Sequence, residues 1–433
     1  MTFALRALKS RNYRLFFGGQ IVSLVGNWMT SVATSWLVYR LTGSAWMLGV
    51  IGFAGQIPAF LLAPVAGILV DRVDKHRMLV ITQTLAMLQS FALAALVLSG
   101  RATIAGLIVL NVIDGVITAL DMPLRQSFIL DMIERKEDLG NAIALNSSMV
   151  NAARLIGPSL GGVVIAMAGE GWCFFLDGVS FLAVIAALLM MTVRRTAPKP
   201  PHAGGALAEM REGWNYVLNS RPILSIILLL ALVSLVGVPY TVLIPLYAGT
   251  ILKGGPHTLG LMMTATGTGA LAGAVWLASR KSVLGLGRVI PISAAAFGAG
   301  LLAFAYSTTL WLSLPLLLIT GAGFMTQMAS SNTIVQTIVD DDKRGRVMSF
   351  FMMAFLGTAP FGSLLAGSMA DRFGAPRTLV FGGICCLLGA AWFERELPEI
   401  RDAIRPIYRR MGILPPAAEA AAQSARLTLE TRD

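Results

Sequence analysis

Long apolar runs, separated by short polar loops, dominate the chain. Each run is long enough to cross a hydrocarbon core of roughly 30 Å as a helix. The runs are continuous rather than alternating, which favours helices over the strands of an outer-membrane barrel. The pattern therefore predicts twelve membrane-spanning helices, near residues 15–39, 45–70, 76–99, 102–124, 141–168, 172–193, 222–250, 257–279, 287–306, 309–334, 347–369 and 376–393.

The composition is typical of a membrane protein. Hydrophobic residues make up 56% of the 433 residues and charged residues only 13%, whereas a soluble domain carries about 25% charged residues. So few charges cannot cover so much apolar surface in water. We expect an all-α integral membrane protein of about twelve transmembrane helices in two pseudo-symmetric six-helix bundles.

A polar stretch in the middle of the chain divides the predicted spans into two groups. It begins with a proline-rich segment and continues as an amphipathic surface helix. We therefore expect an N-terminal bundle at 1–193, a cytoplasmic linker at 194–221, a C-terminal bundle at 222–393 and a basic cytoplasmic tail at 394–433. A gap-free shift of 205 residues aligns Gly140, Gly157 and Gly162 with Gly345, Gly362 and Gly367, which suggests that the halves are repeats.

The basic residues predict the orientation. Most of the 34 Lys and Arg residues fall on the side that carries the two termini. The exceptions, apart from two inside spans, are Arg40, Arg101, Lys253, Arg372 and Arg377. By the positive-inside rule both termini are cytoplasmic, in a cell (inner or plasma) membrane. The net charge of +11 therefore indicates contact with membrane lipids and not with nucleic acid.

The fourth predicted span carries five polar residues on one helical face: Asn111, Asp114, Thr118, Asp121 and Arg125, spaced 3, 4, 3 and 4. A charge at the centre of a span costs about 2.5–3.5 kcal/mol, so this face must look into protein or water. Asp121 and Arg125 can pair at i, i+4. Asp114 lies near mid-depth.

The fifth span supplies a cation at matching depth, Arg154. We expect Arg154 and Asp114 to lie close together beside a central cavity. Asp114, Arg154 and Asp121 are then candidates for proton coupling, and the alternative is a set of permanently ionised pairs that only hold helices together. Asp177, near the outer end of the sixth span, is expected to be solvated at the membrane interface.

Further polar residues are candidates for a substrate cavity, although such side chains often only bond to neighbouring helices. They lie on the first, fourth, fifth, seventh and tenth spans: Asn27, Ser31, Asn111, Thr118, Asn151, Tyr240 and Gln327. Pro239 and Pro245 predict a kink beside Tyr240.

The sequence contains no pattern typical of an enzyme active site. The histidines, His76, His202 and His257, are far apart in sequence, and the sequence contains no metal-ligand cluster and no Walker-type phosphate loop. We expect no catalytic residue, no metal and no cofactor. Without a recognisable signalling domain, a receptor is also disfavoured.

The loop after the second span carries a specific pattern: Gly67, Asp71, Arg72, Lys75 and Arg77. With it the chain resembles the major facilitator superfamily, although Asp74 stands where that family usually has glycine. The resemblance implies that this loop is a conformational latch, with Asp71 helping to hold the outward-facing state.

Other stretches resemble the branch of enterobactin exporters and macrolide efflux proteins, among them residues 11–16, 41–44, 121–126, 141–147 and 344–349. Gly157, Pro158, Gly161 and Gly162 resemble the core of the antiporter motif of drug–proton exchangers. The resemblance implies a monomeric secondary transporter that works by alternating access and exports an amphipathic small molecule, drug-like or siderophore-like, in exchange for protons. An importer or a lipid flippase of the same fold is the alternative.

Overall fold

The computed structural model describes residues 3–192, 206–280 and 282–412, and within these ranges it contains helices and no strand. Twelve helices are long and apolar enough to cross a membrane, as predicted. We number them spans 1 to 12: Arg11–Thr42, Ala45–Arg72, Lys75–Leu98, Ile104–Met132, Leu139–Ala168, Glu170–Leu189, Arg221–Ile251, Pro256–Ala278, Leu286–Ala305, Leu310–Ile338, Arg344–Phe373 and Ala375–Arg410. We call the end of the bundle that carries Arg11 the inner end and the opposite end the outer end.

Two predicted boundaries differ from the observed helix ends by more than four residues. Span 4 continues through Pro123 to Met132. Span 12 does not stop near residue 393 but runs on to Arg410, 36 residues in all, or about 54 Å. The apolar face of span 12 continues through Leu397, Ile400 and Ile404, all buried. Because this face still finds a packing partner, the helix continues where hydropathy alone ends it. Residues 413–433 of the predicted tail lie outside the described part.

Two spans contain π-helical turns. Val233–Gly237 and Tyr247–Ile251 interrupt span 7, and Met353–Gly357 interrupts span 11. In span 7 the first π turn ends just before Pro239, which confirms a distortion at the predicted site. A π turn adds one residue to the helical repeat and is frequent at functional sites.

The two halves repeat each other in structure. Gly157 packs on span 1, at Val25 and Trp28, and Gly362 packs in the equivalent way on span 7, at Leu235 and Pro239. The same shift of 205 residues relates two turn glycines, Gly169 and Gly374. Their φ angles of 91° and 88° are accessible essentially to glycine alone. The repeat that the glycine spacing suggests is therefore present in three dimensions.

The halves meet through glycine contacts towards the outer end. Span 2 crosses span 11 where Gly49 faces Gly367, and span 5 crosses span 8 where Gly162 faces Gly260. A Cβ atom on Gly367 would lie 2.8 Å from the Ala45 carbonyl oxygen, and one on Gly162 would lie 2.7 Å from that of Pro256. Only glycine allows the backbones to approach this closely.

Two further contacts join the halves at the outer end. Tyr39 of span 1 packs on Gly249 of span 7, and Ser44 donates a hydrogen bond to Asp371 at 3.1 Å. These contacts and the glycine crossings lie between mid-membrane and the outer end. The conformation is therefore one in which the outer end is closed.

Of the predicted linker, residues 194–205 lie outside the described part and Ala206–Asn219 is a helix. This linker helix packs against the beginning of span 11, where Glu212 pairs with Arg346 at 2.6 Å and Trp214 contacts Phe350. Tyr216 donates a hydrogen bond to Asp340, and partial burial raises the pKa of its hydroxyl. The linker helix is thus held by the C-terminal half.

We expect Gly367→Val to favour a conformation open at the outer end, because the added side chain meets the backbone of span 2. Overpacking of this kind costs about 1–3 kcal/mol, which is a shift of roughly 5- to 150-fold in the ratio of closed to open molecules. Electron paramagnetic resonance distances between spin labels at Leu41 and Phe373 would report the opening.

Gly18→Val is the matched control, since nothing lies within 4 Å of the Cβ position of Gly18. Equal distance distributions in the Gly367→Val and Gly18→Val proteins would show that the glycine crossing does not control closure.

Candidate functional site

The polar face of span 4 looks into the N-terminal half, and its inner part is an ion pair. Arg125 Nε lies 2.7 Å from Asp121 Oδ2, so the predicted pairing is confirmed. The other oxygen of Asp121 accepts hydrogen bonds from Thr82 at 2.8 Å and Gln83 at 2.7 Å, both on span 3. Asp121 is 6% exposed. Asp121 therefore has one cation and two hydrogen-bond donors within the protein, the partners that a buried carboxylate needs.

Asp114 differs from Asp121 in its partners. It forms no ion pair or hydrogen bond with any described residue, and its side chain is half-buried. Two other carboxylates, Asp121 and Asp177, lie within electrostatic reach of it. Asp114 is thus a carboxyl near the middle of span 4 for which the described residues supply no cation and no hydrogen-bond donor.

Asp177 is buried and not solvated at the interface, so that expectation is wrong. The side chain is 2% exposed because span 6 turns it towards spans 1 and 3. Thr30 and Ser90 donate hydrogen bonds to Oδ2 at 3.0 and 2.8 Å, and Oδ1 has no partner. Hydroxyls at positions 30 and 90, on separate spans, gave no periodic signal that could have linked them to Asp177.

Arg154 does not pair with Asp114, contrary to the expectation. Span 5 packs mainly on spans 1 and 8 and only weakly on span 4, so it turns Arg154 away from Asp114. The guanidinium lies over the ring of Trp28, with Cζ 5.3 Å from the ring centroid. The backbone and Cγ of Arg154 pack on Gly267 of span 8. The sequence predicts the depth of a residue along its span, but depth does not fix the rotation of a helix.

The cavity candidates fall into three groups. Asn27, Ser31 and Thr118 are exposed, as is the neighbouring Ser147. Two candidates bond within their own helices, Asn111 to the Leu107 carbonyl and Asn151 to that of Ser147. Tyr240 is buried beside Phe297 and lies within reach of Thr266 and Arg154.

Gln327 does not line a cavity in this conformation. It is 0% exposed and bonds only to Ser331 of its own helix, at 3.4 Å. The residues beside it explain this, because Gly323 packs on span 9 and Thr326 packs on Gly273 of span 8. This face of span 10 is therefore turned into the C-terminal half.

The loop between spans 2 and 3 is a tight turn. Span 2 ends at Arg72, and Asp74 caps span 3 by accepting a hydrogen bond from the Arg77 amide at 3.1 Å. Asp74 thus acts as an N-cap where the superfamily pattern has glycine. Lys75 pairs with Asp131 of span 4 at 3.8 Å. The side chains of Asp71 and Arg72, and the surroundings of Gly67, lie outside the described part.

The glycines of the antiporter-like motif all face other helices. Gly157 and Gly161 pack on span 1, the latter at Met29, and Gly162 packs on span 8. Pro158 sits inside span 5, which continues through it as a helix. The motif therefore builds the contact between spans 1, 5 and 8 beside which Arg154 lies.

Within the described ranges no group of three or more His, Cys, Asp and Glu residues could hold a metal ion. The site is a set of buried charges between and beside two helical halves. Among the described residues, neither the carboxyl of Asp114 nor the guanidinium of Arg154 has an ion-pair partner.

Comparison with known proteins gives the family. The family model for transmembrane secretion effectors matches residues 2–415. The chain is 28% identical to the staphyloferrin A transporter of Staphylococcus aureus over 390 residues, covering 89% of this chain and 96% of that protein. It is 27% identical to the multidrug efflux pump Tap of Mycolicibacterium fortuitum over 394 residues, covering 88% and 95%.

Solved structures show the same fold at low identity. A POT family transporter in complex with 5-aminolevulinic acid superposes with a TM-score of 0.74 at 10% identity, covering 90% of this chain and 97% of that one. A bacterial homologue of the lysosomal transporter Spinster, inward-facing and unoccupied, gives 0.68 at 14% identity and covers 91% and 98%. The chain belongs to the transmembrane secretion effector family of the major facilitator superfamily and is a multi-pass membrane transporter of small molecules.

Proposed function

We propose that this transporter is a proton-coupled exporter of amphipathic small molecules. It would lie in the cell membrane with its inner end, and both termini, in the cytoplasm. In this proposal the two halves are the N-terminal and C-terminal bundles at 1–193 and 222–393, and they rock about their shared interface. The observation that carries the proposal is the unpaired acid Asp114 in the middle of a half whose buried acids Asp121, Glu170 and Asp177 are bound by a cation or by hydroxyls.

The geometry supports alternating access. The halves are closed at the outer end by glycine crossings and by the Ser44–Asp371 hydrogen bond, while polar side chains such as Asn27, Ser31 and Thr118 are exposed. A cleft that admits cargo from the inner end fits this arrangement. The name of one relative, a multidrug efflux pump, favours export. The latch role of Asp71 rests on family resemblance and belongs to the same proposal.

The position of Asp114 supports proton coupling. Protonation removes a charge whose presence at mid-span costs about 2.5–3.5 kcal/mol, and it relieves the repulsion from Asp177. A conformation that gives Asp114 water would release the proton, and a closed one would retain it. A ligand that binds two conformations unequally shifts the equilibrium between them, and here the proton is such a ligand. Asp121, with a cation and two donors, serves as a lock between spans 3 and 4.

Proteoliposomes with an imposed pH gradient test this function directly. In a panel of amphipathic dyes we expect at least one to accumulate against its concentration gradient as protons move the opposite way, reported by an encapsulated pH-sensitive dye. Asp114→Asn should abolish this accumulation and leave gradient-free dye exchange within about two-fold, because only the titrating group is lost.

Asp341→Asn, an exposed carboxyl on the loop before span 11, is the control for charge removal. Accumulation by the Asp114→Asn protein at the rate of the unmodified protein would rule out this proton site. Dye movement in the same direction as protons would indicate import, and movement of lipid analogues alone would indicate a flippase.

Asp121→Asn is expected to act on stability rather than on coupling. Breaking a buried pair by removing one partner costs about 3–5 kcal/mol, and the partial exposure of Arg125 places this pair at the lower end. The apparent melting temperature in detergent should fall clearly for Asp121→Asn and hardly for Asp114→Asn. Addition of Arg125→Gln to Asp121→Asn should recover part of the loss, since it removes the orphaned cation.

If Asp114→Asn destabilises the protein as much as Asp121→Asn does, then the two acids share one structural role. The distinction between lock and proton carrier would then be wrong.

A further inference from the structure

Arg154 is a cation at mid-membrane for which the described residues provide no anion. Its Nε atom is buried and has no hydrogen-bond partner, and the guanidinium forms no ion pair or hydrogen bond with a described residue. The side chain is only partly exposed. A buried cation left without a partner is strongly destabilising, so an anion from outside the chain has a large free-energy gain available here.

Four described acids lie deep in the N-terminal half or at its outer end, and none of them supplies that anion. Asp121 is bound by Arg125, and Glu170 is bound by Arg40 at 2.8 Å near the outer end. Asp177 is enclosed by Thr30 and Ser90 behind span 1. Asp114 lies on span 4, with which span 5 has few contacts.

The surroundings of Arg154 are those of a ligand site at the junction of spans 1, 5, 7 and 8. Trp28 provides an aromatic face beneath the guanidinium. Tyr240 and Thr266 bring hydroxyls from the C-terminal half. Slightly nearer the outer end, the hydroxyls of Ser159 and Thr264 form a hydrogen bond with 2.6 Å between the oxygens, which connects span 5 to span 8. A molecule held by Arg154 would therefore touch both halves on the inner side of the outer closure.

We propose that Arg154 is an anion-binding residue for the cargo and that the cargo carries a carboxylate or phosphate group on an apolar body. The guanidinium offers a planar set of donors that matches an oxyanion in a bidentate manner. Trp28 takes the apolar part and orients the guanidinium by cation–π contact. This inference deepens the proposed function by naming the charge of the cargo, and it rests on that function only for the statement that the anion is transported.

Equilibrium dialysis of the purified full-length protein in detergent tests the site without transport. Three probes share one fluorophore and one alkyl chain: dansyl-aminohexanoate, the corresponding alkyl phosphate, and dansyl-cadaverine, which ends in an amine. We expect at least one anionic probe to bind at least ten-fold more tightly than the amine. Arg154→Gln should weaken that probe at least ten-fold, and Arg154→Lys should recover part of the loss.

The chain offers a closely matched control. Arg280 also lies over a tryptophan, Trp276, with the same Cζ-to-centroid distance of 5.3 Å, but it is exposed. Arg280→Gln should leave the affinity for all three probes unchanged. If the Arg154→Gln protein does not fold, two other results decide the proposal. They are the preference of the unmodified protein for anionic probes over the amine, and the effects of Arg154→Lys and Trp28→Leu on the affinity for those anions.

Preference for the carboxylate, for the phosphate or for both supports the proposal and defines the anion class. Equal or tighter binding of the amine, no binding of any probe, or unchanged anion binding by the Arg154→Gln protein overturns it. Because these measurements need no pH gradient, a failure here leaves proton-coupled export intact. Conversely, anion binding without proton-driven accumulation would contradict the proposed function alone.

Discussion

A charge within the hydrocarbon of a membrane must meet an opposite charge, hydrogen-bond donors or water. This constraint orders the N-terminal half. Asp121 forms an ion pair with Arg125 and accepts hydrogen bonds from Thr82 and Gln83. Asp177 has no cation and accepts hydrogen bonds from two hydroxyls. Among the described residues Asp114 and Arg154 have no ion-pair partner, and they are the two groups that we propose to bind a proton and an anion.

The contact between the halves depends on close packing of helices. The bilayer provides no hydrophobic drive for helix association, so spans adhere by close packing and local polar contacts. Glycines at equivalent places in both repeats permit that approach, with Gly162 against Gly260 and Gly49 against Gly367. Contacts made from backbone and small groups can separate without leaving a buried charge behind. An interface of this kind suits a protein that must open and close repeatedly.

Much of the fold could be predicted from the sequence, because the signals are local. Hydropathy located all twelve spans, the glycine spacing located the repeat, and the i, i+4 spacing paired Asp121 with Arg125. The site was harder to predict, because it depends on how each helix is rotated against its neighbours. Depth along the membrane placed Arg154 level with Asp114, yet span 5 turns the arginine towards Trp28. Asp177 was misjudged for the same reason, since a single polar residue in an apolar span carries no periodicity. Gln327, a candidate for the cavity, is buried in this conformation.

The π turns of span 7 have a consequence for the direction of Tyr240. One inserted residue advances every following side chain by about 100° around the helix axis. The first π turn, Val233–Gly237, precedes Tyr240 by three residues. Without the insertion, the ring that now rests on Phe297 would lie on a different side of the span. A deletion within this turn would keep the length needed to cross the bilayer while re-aiming the tyrosine. Whether an aromatic ring faces the site therefore depends on the rotation of the helix about its axis as well as on the identity of its residues.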